Sequence, residues 1–325
     1  NFTNKIWNAA RFVLMHHEKE NGLNIVDNLH ASLLHSFAVG ETDALPKDWL
    51  TLPDQWILSR LQHVIAETNR LLERYDLGAA ASSLYEFIWS EYCDWYIELS
   101  KARLNQDDPL ERKIAQAILA RVLRQTMELL HPFMPFLTEE VWQALPHYGE
   151  SIVITRWPVV SEALQFEEAE QTMELVIEVV KAIRNIRSEA NVQPQKKVTA
   201  IFQAAPEKMA ILEASRDYIA GLAGLESTEF LAEGAAQPEK TVSAVASGIA
   251  IFVPFSGLVD VSREIERLTK ELGQLEAEIV KTEERLASPA FASKAPAQVV
   301  EKEKIKVENF KEKAAKIRER LEQLQ

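Results

Sequence analysis

Cysteine is almost absent from this sequence, since Cys93 is the single one among 325 residues. A lone cysteine excludes both a disulfide framework and a cysteine-rich zinc module, and it is typical of proteins of a reducing compartment. Long apolar stretches are also lacking, because eighteen uninterrupted apolar residues occur nowhere and the first residues do not have the layout of a signal peptide. We therefore expect a soluble, cytoplasmic chain without a membrane partner.

Motifs that carry catalysis are lacking as well. No Gly-rich loop follows a predicted strand to cradle phosphate, and no Gly-x-Ser-x-Gly elbow is present. His16 and His17 form the most suggestive pair for a metal, but adjacent residues of a helix point about 100° apart and no cysteine accompanies them. We predict no catalytic residue, no metal site and no cofactor bound by this chain.

Positive charge is in the minority, with 36 Lys and Arg against 49 Asp and Glu and a net charge of −13. Spread evenly, this charge would repel a polyanion. Residues 261–325, however, contain 14 basic and 13 acidic residues, a net charge of +1, which leaves −14 for residues 1–260. Any contact with nucleic acid must therefore depend on local clusters of cations.

The length and the hydrophobic patterning indicate three parts, because 325 residues exceed what one core usually organises. Residues 1–157 are predicted to form an all-helical bundle, residues 158–260 a small α+β junction domain, and residues 261–325 an antiparallel coiled-coil arm. The fold class is thus mainly α. The sequence begins at Asn1 within a helical pattern and without an initiator methionine, so we interpret it as a piece of a larger protein.

The first part is predicted to be helical because its apolar residues recur at helical spacing in five segments: Ile6–Met15, Trp56–Leu72, Leu84–Leu99, Ile114–Leu130 and Leu137–Leu145. Pro53-Asp54 predicts the start of the second helix, and Asp107-Asp108-Pro109 predicts the start of the fourth. The less periodic segment from Gly22 to Leu52 is interpreted as a loop.

Large apolar side chains in this part are interpreted as packing residues rather than as base-stacking ones. This holds for the aromatic residues at helical spacing, Trp89, Tyr92, Trp95 and Tyr96. It also holds for the residues that follow the fourth helix and are expected to plug the bundle, Phe133, Met134 and Phe136.

The second part changes from helical spacing to a mixed pattern. After a helix near Glu168–Ile186, alternating or short apolar runs predict strands at Val198–Gln203, Thr228–Leu231 and Ile249–Pro254, with a helix at Pro206–Leu222. This pattern predicts the small α+β unit.

The last part contains two apolar seams with steps of three and four residues. The first seam comprises Ile265, Leu268, Leu272, Leu275, Ile279 and Leu286, with Thr282 as its interruption. The second comprises Val300, Val307, Phe310, Ala314, Ile317, Leu321 and Leu324, with Glu303 as its interruption. The Pro-containing segment Ser288–Lys304 separates them, so the seams can cover each other only by folding back antiparallel.

Several segments resemble the valyl-tRNA synthetases, class I aminoacyl-tRNA synthetases. Those similar to blocks of the anticodon-binding bundle, which the isoleucine and leucine enzymes share, are Asn4–Val13, Asp54–Leu61, Tyr85–Glu98 and Leu130–Trp142. The pattern Phe291, Lys294, Pro296, Val299, Val300, Glu303 and Lys304 resembles the tip of the valine enzymes' carboxy-terminal arm. The isoleucine enzyme characteristically ends in a cysteine-rich zinc module, which one cysteine excludes, so valine is favoured.

The resemblance implies a tRNA-recognition fragment. The bundle would bind the anticodon stem-loop, and the arm would bind the outer corner of tRNA(Val). The parent enzyme would esterify valine to tRNA with ATP and Mg²⁺ and would edit misactivated threonine. The His-Ile-Gly-His-like and Lys-Met-Ser-Lys-Ser-like motifs of the class are absent, so we expect the fragment to be inactive alone and to depend on its own N-terminal catalytic and editing domains. We expect a monomer.

Two alternatives stay open at this point. Within the class, the chain could be the equivalent part of an isoleucyl- or leucyl-tRNA synthetase. Outside the class, it could be a helical scaffold whose coiled coil binds a protein and never touches RNA, an interpretation that the acidic body favours.

Candidate tRNA-binding residues fall into three groups. The first helix mixes cations, amides and a ring, which suit an unpaired base and its phosphate: Asn4, Lys5, Asn8, Arg11 and Phe12. A basic cluster follows the bundle: Arg184, Arg187, Lys196 and Lys197. The arm contributes Arg263, Arg267, Lys270, Lys281, Phe291, Lys294, Lys302 and Lys304. For each group the alternative is an ordinary solvated or capping role.

Overall fold

A computed structural model describes residues 2–18, 28–258, 261–287 and 297–324. It divides the chain into two compact units. The first comprises residues 1–181, 205–223 and 246–249, and the second comprises residues 182–204, 224–245 and 250–325. The predicted fold class, mainly α with a small α+β element and a coiled coil, is confirmed. The three domain boundaries stay predictions.

Helices make up most of the first unit. They are α1 Phe2–Glu18, α2 Asn28–Val39, α3 Leu52–Glu73, α4 Leu77–Glu86, α5 Ile97–Leu104, α6 Pro109–Leu130, α7 Pro135–Ala144 and α8 Glu167–Glu189, the last of which continues into the second unit. A π-helical segment, Phe87–Tyr96, joins α4 to α5 without a break. The five helices predicted in this region are confirmed.

Helices α3 and α6 begin where the local sequence signals predict. Thr51 and Asp54 form a capping box, in which the Thr51 backbone N donates to Asp54 Oδ2 at 2.9 Å. Asp108 caps α6 by accepting from the Leu110 backbone N at 2.9 Å, and Pro109 occupies the first turn.

Helix α6 is the centre of the bundle core. Every residue from Ala117 to Leu130 is buried, and the helix contacts α1, α2, α3, α5 and α7. A helix buried on all sides must be surrounded by others. The aromatic residues interpreted as packing residues do contribute to this core, since Tyr92, Trp95 and Tyr96 are buried.

The interpretation of Gly22–Leu52 as a loop is wrong for residues 28–39, which form α2; residues 22–27 lie outside the described residues. Phe37 and Ala38 are buried, and α2 packs against α6. Arg121 Nη1 donates to Phe37 O at 3.1 Å and Arg124 Nε donates to Ala38 O at 3.1 Å. These guanidinium groups bind carbonyls at the end of α2 from a distant helix. The helix end also carries a local signal, because Gly40, with a φ of +83°, follows the helix and its backbone N donates to Phe37 O at 3.1 Å.

Buried ion pairs lie both between and within the bundle helices. Arg103 pairs with Asp54, whose other oxygen accepts from Tyr96 Oη at 2.8 Å. Arg124 Nη1 donates to Glu128 Oε1 at 2.5 Å. Burial, followed by the neighbouring Asp54 charge, raises the pKa of Tyr96. Removing one partner of such a pair would leave an uncompensated buried charge.

The second unit contains a four-stranded mixed sheet. Its strands are β1 Val198–Gln203, β2 Leu225–Leu231, β3 Thr241–Ala246 and β4 Ile249–Pro254, in the order β2-β1-β4-β3. Strand β1 pairs in parallel with β2, with Phe202 opposite Phe230, and antiparallel with β4, with Phe202 opposite Ile251. The three predicted strands are confirmed.

Two details of this region differ from the sequence interpretation. Strand β3 was not predicted, because it is an edge strand whose side chains, such as Val245, are largely exposed and give a weak pattern. The helix predicted at Pro206–Leu222 is two helices, α9 Pro206–Ala214 and α10 Arg216–Ala223, separated at Ser215.

The arm is an antiparallel pair of helices, as predicted. A short helix, α11 Phe255–Leu258, precedes α12 Val261–Ala287, and α12 packs against α13 Ala297–Leu324. Lys311 Nζ lies 2.7 Å from Glu283 Oε1 and Arg318 Nη2 lies 2.6 Å from Glu276 Oε1, so the two helices run in opposite directions. Residues 288–296 of the predicted tip lie outside the described residues, and residues 297–304 belong to α13.

The seam of the arm contains small and apolar side chains. Val307 and Ala314 are buried in it. Thr282, the predicted interruption, is buried too, and its Oγ1 donates to Glu278 O at 2.7 Å. A hydroxyl that is satisfied by its own helix can be accommodated in an apolar seam.

Candidate nucleic-acid interface

Helix α1 presents a polar face to solvent. Ile6, Ala9, Ala10 and Val13 are buried against the bundle. The opposite side of the helix is exposed and carries three of the five predicted tRNA-binding residues, Asn4, Asn8 and Arg11. Two amides and a guanidinium in one row can hydrogen-bond base edges and phosphate.

The other two predicted residues of α1 are engaged inside the unit. Lys5 Nζ lies 2.6 Å from Asp94 Oδ1 and 3.8 Å from the centre of the Trp89 ring. Phe12 is half-buried, with its ring 4.7 Å from that of His16. Lys5 therefore attaches α1 to the π-helical segment in this structure, and the structure divides the predicted group into exposed and engaged members.

An aromatic row that sequence reasoning missed lies beside the start of α1. The ring centroids of Phe2 and Tyr85 are 4.7 Å apart, and those of Tyr85 and Trp89 are 5.6 Å apart and nearly parallel. The spacing of Tyr85 and Trp89, four residues along a helix, was the available signal. Lys5 caps the row over Trp89, and Tyr85 is half-exposed.

An open cleft of about 610 Å³ lies at this row. Its apolar lining includes Phe2, Tyr85, Leu130, Phe133 and Met134. The expectation that Phe133, Met134 and Phe136 all plug the bundle is wrong for Phe136, which is 91% exposed. Phe136 lies in the first turn of α7, where Pro135 starts the helix and the side chain meets no core.

Arg187 differs from the other predicted cations of the junction. It is buried, and its Nη1 donates to Gly224 O at 2.9 Å. Burial lowers the pKa of its guanidinium. Gly224 has a φ of +67°, and a Cβ there would lie 3.3 Å from the guanidinium, so this close approach requires glycine.

The remaining junction cations lie nearer to solvent. Arg184 and Lys197 are exposed, whereas Lys196 is half-buried. All three precede β1 in the sequence: Arg184 lies in the last part of α8, and Lys196 and Lys197 lie directly before Val198. Cations near the end of a helix also interact favourably with its dipole, which is the structural alternative to a phosphate contact.

The structure describes the side chains of only some of the predicted arm residues. Lys270 and Lys281 are exposed on α12. Arg263 and Arg267 belong to α12, and Lys302 and Lys304 belong to α13, but their side chains lie outside the described part. Phe291 and Lys294 also lie outside it. Lys306, which the sequence also suggests as a phosphate contact, is exposed on α13, and sequence reasoning missed two further exposed lysines of this helix, Lys313 and Lys316.

Cys93 is unsuited to nucleophilic chemistry. Burial raises the pKa of its thiol to about 12, and the Asp94 charge adds to this effect while Lys5 opposes it. Because the thiolate is the nucleophile, a thiol with this pKa is inert near neutral pH.

Metal binding and membrane insertion find no support within the part of the chain that the structure describes. Among these residues, no group of three or more His, Cys, Asp or Glu side chains is arranged to hold a metal ion. Within the same ranges, no helix combines the length and apolarity needed to cross a bilayer.

Two protein-family models match the chain. Residues 54–202 match the "Anticodon-binding domain of tRNA ligase", and residues 260–325 match the "Valyl tRNA synthetase tRNA binding arm". The two matches cover most of the helical region and the whole arm.

Curated relatives match along the full length of the chain. The valine–tRNA ligase of Oceanobacillus iheyensis is 38% identical over 325 residues, which is 100% of this chain and 34% of that protein. Those of Geobacillus stearothermophilus and Bacillus subtilis are 39% and 38% identical over 325 residues, in each case 100% of this chain and 35% of the relative. The chain therefore spans about a third of the length of the relatives it matches.

Proposed function

The chain belongs to the valyl-tRNA synthetase family and corresponds to its C-terminal third, and from this premise we propose that it is the tRNA-recognition portion of a valine–tRNA ligase. The bundle binds the anticodon stem-loop of tRNA(Val). The arm binds the outer corner of the same tRNA, so that the second contact becomes effectively intramolecular. The observation that carries the proposal is the match of the arm to a model specific for valyl enzymes.

In the bundle, the proposed contacts start from the exposed face of α1. Asn4, Asn8 and Arg11 point into solvent, where they can meet an unpaired base and its phosphate. Lys5 and Phe12 support this face through their contacts with Trp89 and His16. Among the junction cations, Arg184, Lys196 and Lys197 are proposed phosphate contacts, and Arg187 acts by holding the chain before β2 in place through Gly224 O.

The catalytic activity belongs to the longer protein. We assign to it the ATP- and Mg²⁺-dependent esterification of valine to tRNA(Val) and the editing of threonine, which a hydrophobic pocket rejects poorly. This chain contributes positioning of the tRNA, and it is expected to be inactive alone because it lacks the class I signature motifs. The protein is proposed to act as a cytoplasmic monomer.

The catalytic and editing domains of the longer protein are the proposed occupants of the open cleft beside Phe2. About two thirds of the relatives' length is not represented in this chain. The aromatic and methionine lining of the cleft suits a protein surface better than a phosphate.

The test is an anisotropy titration of this chain with a labelled tRNA(Val) transcript at two salt concentrations. We expect binding that weakens steeply as salt rises, because each phosphate contact releases counterions. The competing function is a protein-binding scaffold, which the net charge of the body favours. Absence of tRNA binding at low salt, or binding to tRNA that salt does not change, would contradict the proposal and favour an apolar helix-in-groove complex.

A further inference from the structure

The cations of α13 fall into two groups with different surroundings. Lys311 and Arg318 form ion pairs with Glu283 and Glu276 of α12, at 2.7 Å and 2.6 Å. Lys306, Lys313 and Lys316 are exposed, and within residues 261–287 and 297–324 no described carboxylate pairs with them. Lys306 Nζ lies 5.5 Å from the centre of the Phe310 ring of its own helix. The first group contributes to holding the two helices together, whereas the second has no such role.

The three lysines without a described carboxylate partner lie in one stripe along the helix. At 100° per residue, positions 306, 313 and 316 fall within an arc of about 80°. Over the length of α13, the same arc contains the sequence positions of Gln298, Lys302, Asn309, Arg320 and Leu324 and no Asp or Glu. We call Lys306, Lys313 and Lys316 the lysine stripe.

The stripe lies on a different side of α13 from the paired flank. Val307 and Ala314, the buried residues of α13, are next to it around the helix, and Lys311 with Arg318 lie beyond them on the other side. The exposed carboxylates Glu308 and Glu312 fall outside the arc of the stripe. An ordinary solvated coiled coil would mix both signs on each flank, whereas the arc of the stripe contains no Asp or Glu over the length of α13.

We propose that the lysine stripe is the surface by which the arm contacts the phosphates of RNA. This inference rests on the proposed function, because it names the face of the tRNA-binding arm that carries the contact. Its ends, positions 306 and 316, are about 15 Å apart along the helix, long enough to reach more than one phosphate of one strand. Lysine contacts of this kind fix position and carry no base specificity.

The stripe also explains how an arm with a net charge of +1 can bind a polyanion. Counterion release depends on the cations that reach phosphates, not on the net charge of the domain. With Glu308 and Glu312 at other positions around α13 and Lys311 and Arg318 paired, the positive potential is concentrated on one side of the helix.

The chain offers a matched pair of variants for the test. Lys313→Gln/Lys316→Gln removes two charges from the stripe, and Lys311→Gln/Arg318→Gln removes two charges from the paired flank of the same helix. Both are made in the full 325-residue chain and titrated with a labelled tRNA(Val) transcript at several salt concentrations. The stripe variant is expected to lose about tenfold or more in affinity at low salt and to reduce the salt slope by about 2.

The matched variant is expected to retain the wild-type salt slope. It loses two ion pairs of the arm, so circular dichroism must show that the stripe variant is at least as helical as the matched one. Equal losses in both variants, or an unchanged stripe variant, would overturn the stripe while the proposed function stands. Failure of the wild-type chain to bind tRNA at any salt concentration would overturn the proposed function and the stripe together.

Discussion

The cations of the bundle and those of the arm are used in opposite ways. Arg103, Arg121 and Arg124 are buried and bind carboxylates or backbone carbonyls. The lysines of the stripe, by contrast, are exposed, and no described carboxylate pairs with them. A count of basic residues therefore says little about RNA contact. Whether a cation can contact RNA depends on whether its guanidinium or ammonium group already has partners within the fold.

The largest effect is expected when a buried cation of the bundle is removed. Arg103→Met leaves Asp54 buried without its guanidinium and should lower the free energy of unfolding by about 3–5 kcal/mol. Urea unfolding followed by circular dichroism measures this change. The matched control is Lys101→Met, in an exposed pair with Glu98, which should cost less than about 1 kcal/mol. Similar costs for the two variants would remove the distinction between buried and exposed cations.

Removal of the arm tests the other side of the comparison. Deletion of residues 262–325 should weaken binding of the tRNA(Val) transcript by about tenfold or more, because all arm phosphate contacts are lost. The core of α6 lies in the first unit, so the thermal unfolding of the bundle should persist. An unchanged tRNA affinity would contradict the role of the arm at the tRNA corner.

Two substitutions within α1 sharpen the comparison inside the bundle. Arg11→Gln changes an exposed side chain and should leave stability within about 0.5 kcal/mol of wild type while weakening tRNA binding. Lys5→Gln should instead cost about 1 kcal/mol of stability, because it loses Asp94 and the Trp89 ring. Thermal unfolding and the anisotropy titration measure both effects. The reverse result, with Lys5 affecting only binding and Arg11 only stability, would refute the division.

The smallest effect is expected in the seam of the arm. Thr282→Val removes a hydroxyl that bonds to its own helix at Glu278 O and replaces it with an apolar methyl group. Because no distant partner loses a hydrogen bond, the arm should be unchanged or more stable by less than about 1 kcal/mol. Thermal unfolding of the arm, followed by circular dichroism, is the measurement. A marked destabilisation would show that Thr282 has a partner other than its own helix.

The elements that local signals specify could be predicted from the sequence. Asp108 and Pro109 begin α6 where the capping pattern indicates, and the heptad spacing predicts the antiparallel arm. Helix α2 was missed although its end carries a local signal, Gly40, which has a positive φ and donates its backbone N to Phe37 O. Arg121 and Arg124, from a helix far along the chain, bind carbonyls at the same end. Strand β3 was not predicted from the sequence, because an exposed edge strand lacks a clear alternation of apolar residues.

The candidate site could be predicted by residue type but not by exposure. The sequence indicates Lys5, Asn8 and Arg11 as candidates on α1, yet only the packing of α1 on the π-helical segment shows that Lys5 is engaged. Arg187 is a similar case, since its partner Gly224 is distant in sequence. The lysine stripe needed the ion pairs of Lys311 and Arg318, which identify the flank of α13 that is already used.

The central claim is that this chain reads tRNA(Val). The most direct test is a titration of the chain with the tRNA(Val) transcript and with a copy that differs in the anticodon alone, at one low salt concentration. The account predicts tighter binding of the transcript with the valine anticodon, because base contacts from α1 add to the phosphate contacts that both transcripts share. Equal affinity for the two transcripts would contradict anticodon recognition by the bundle.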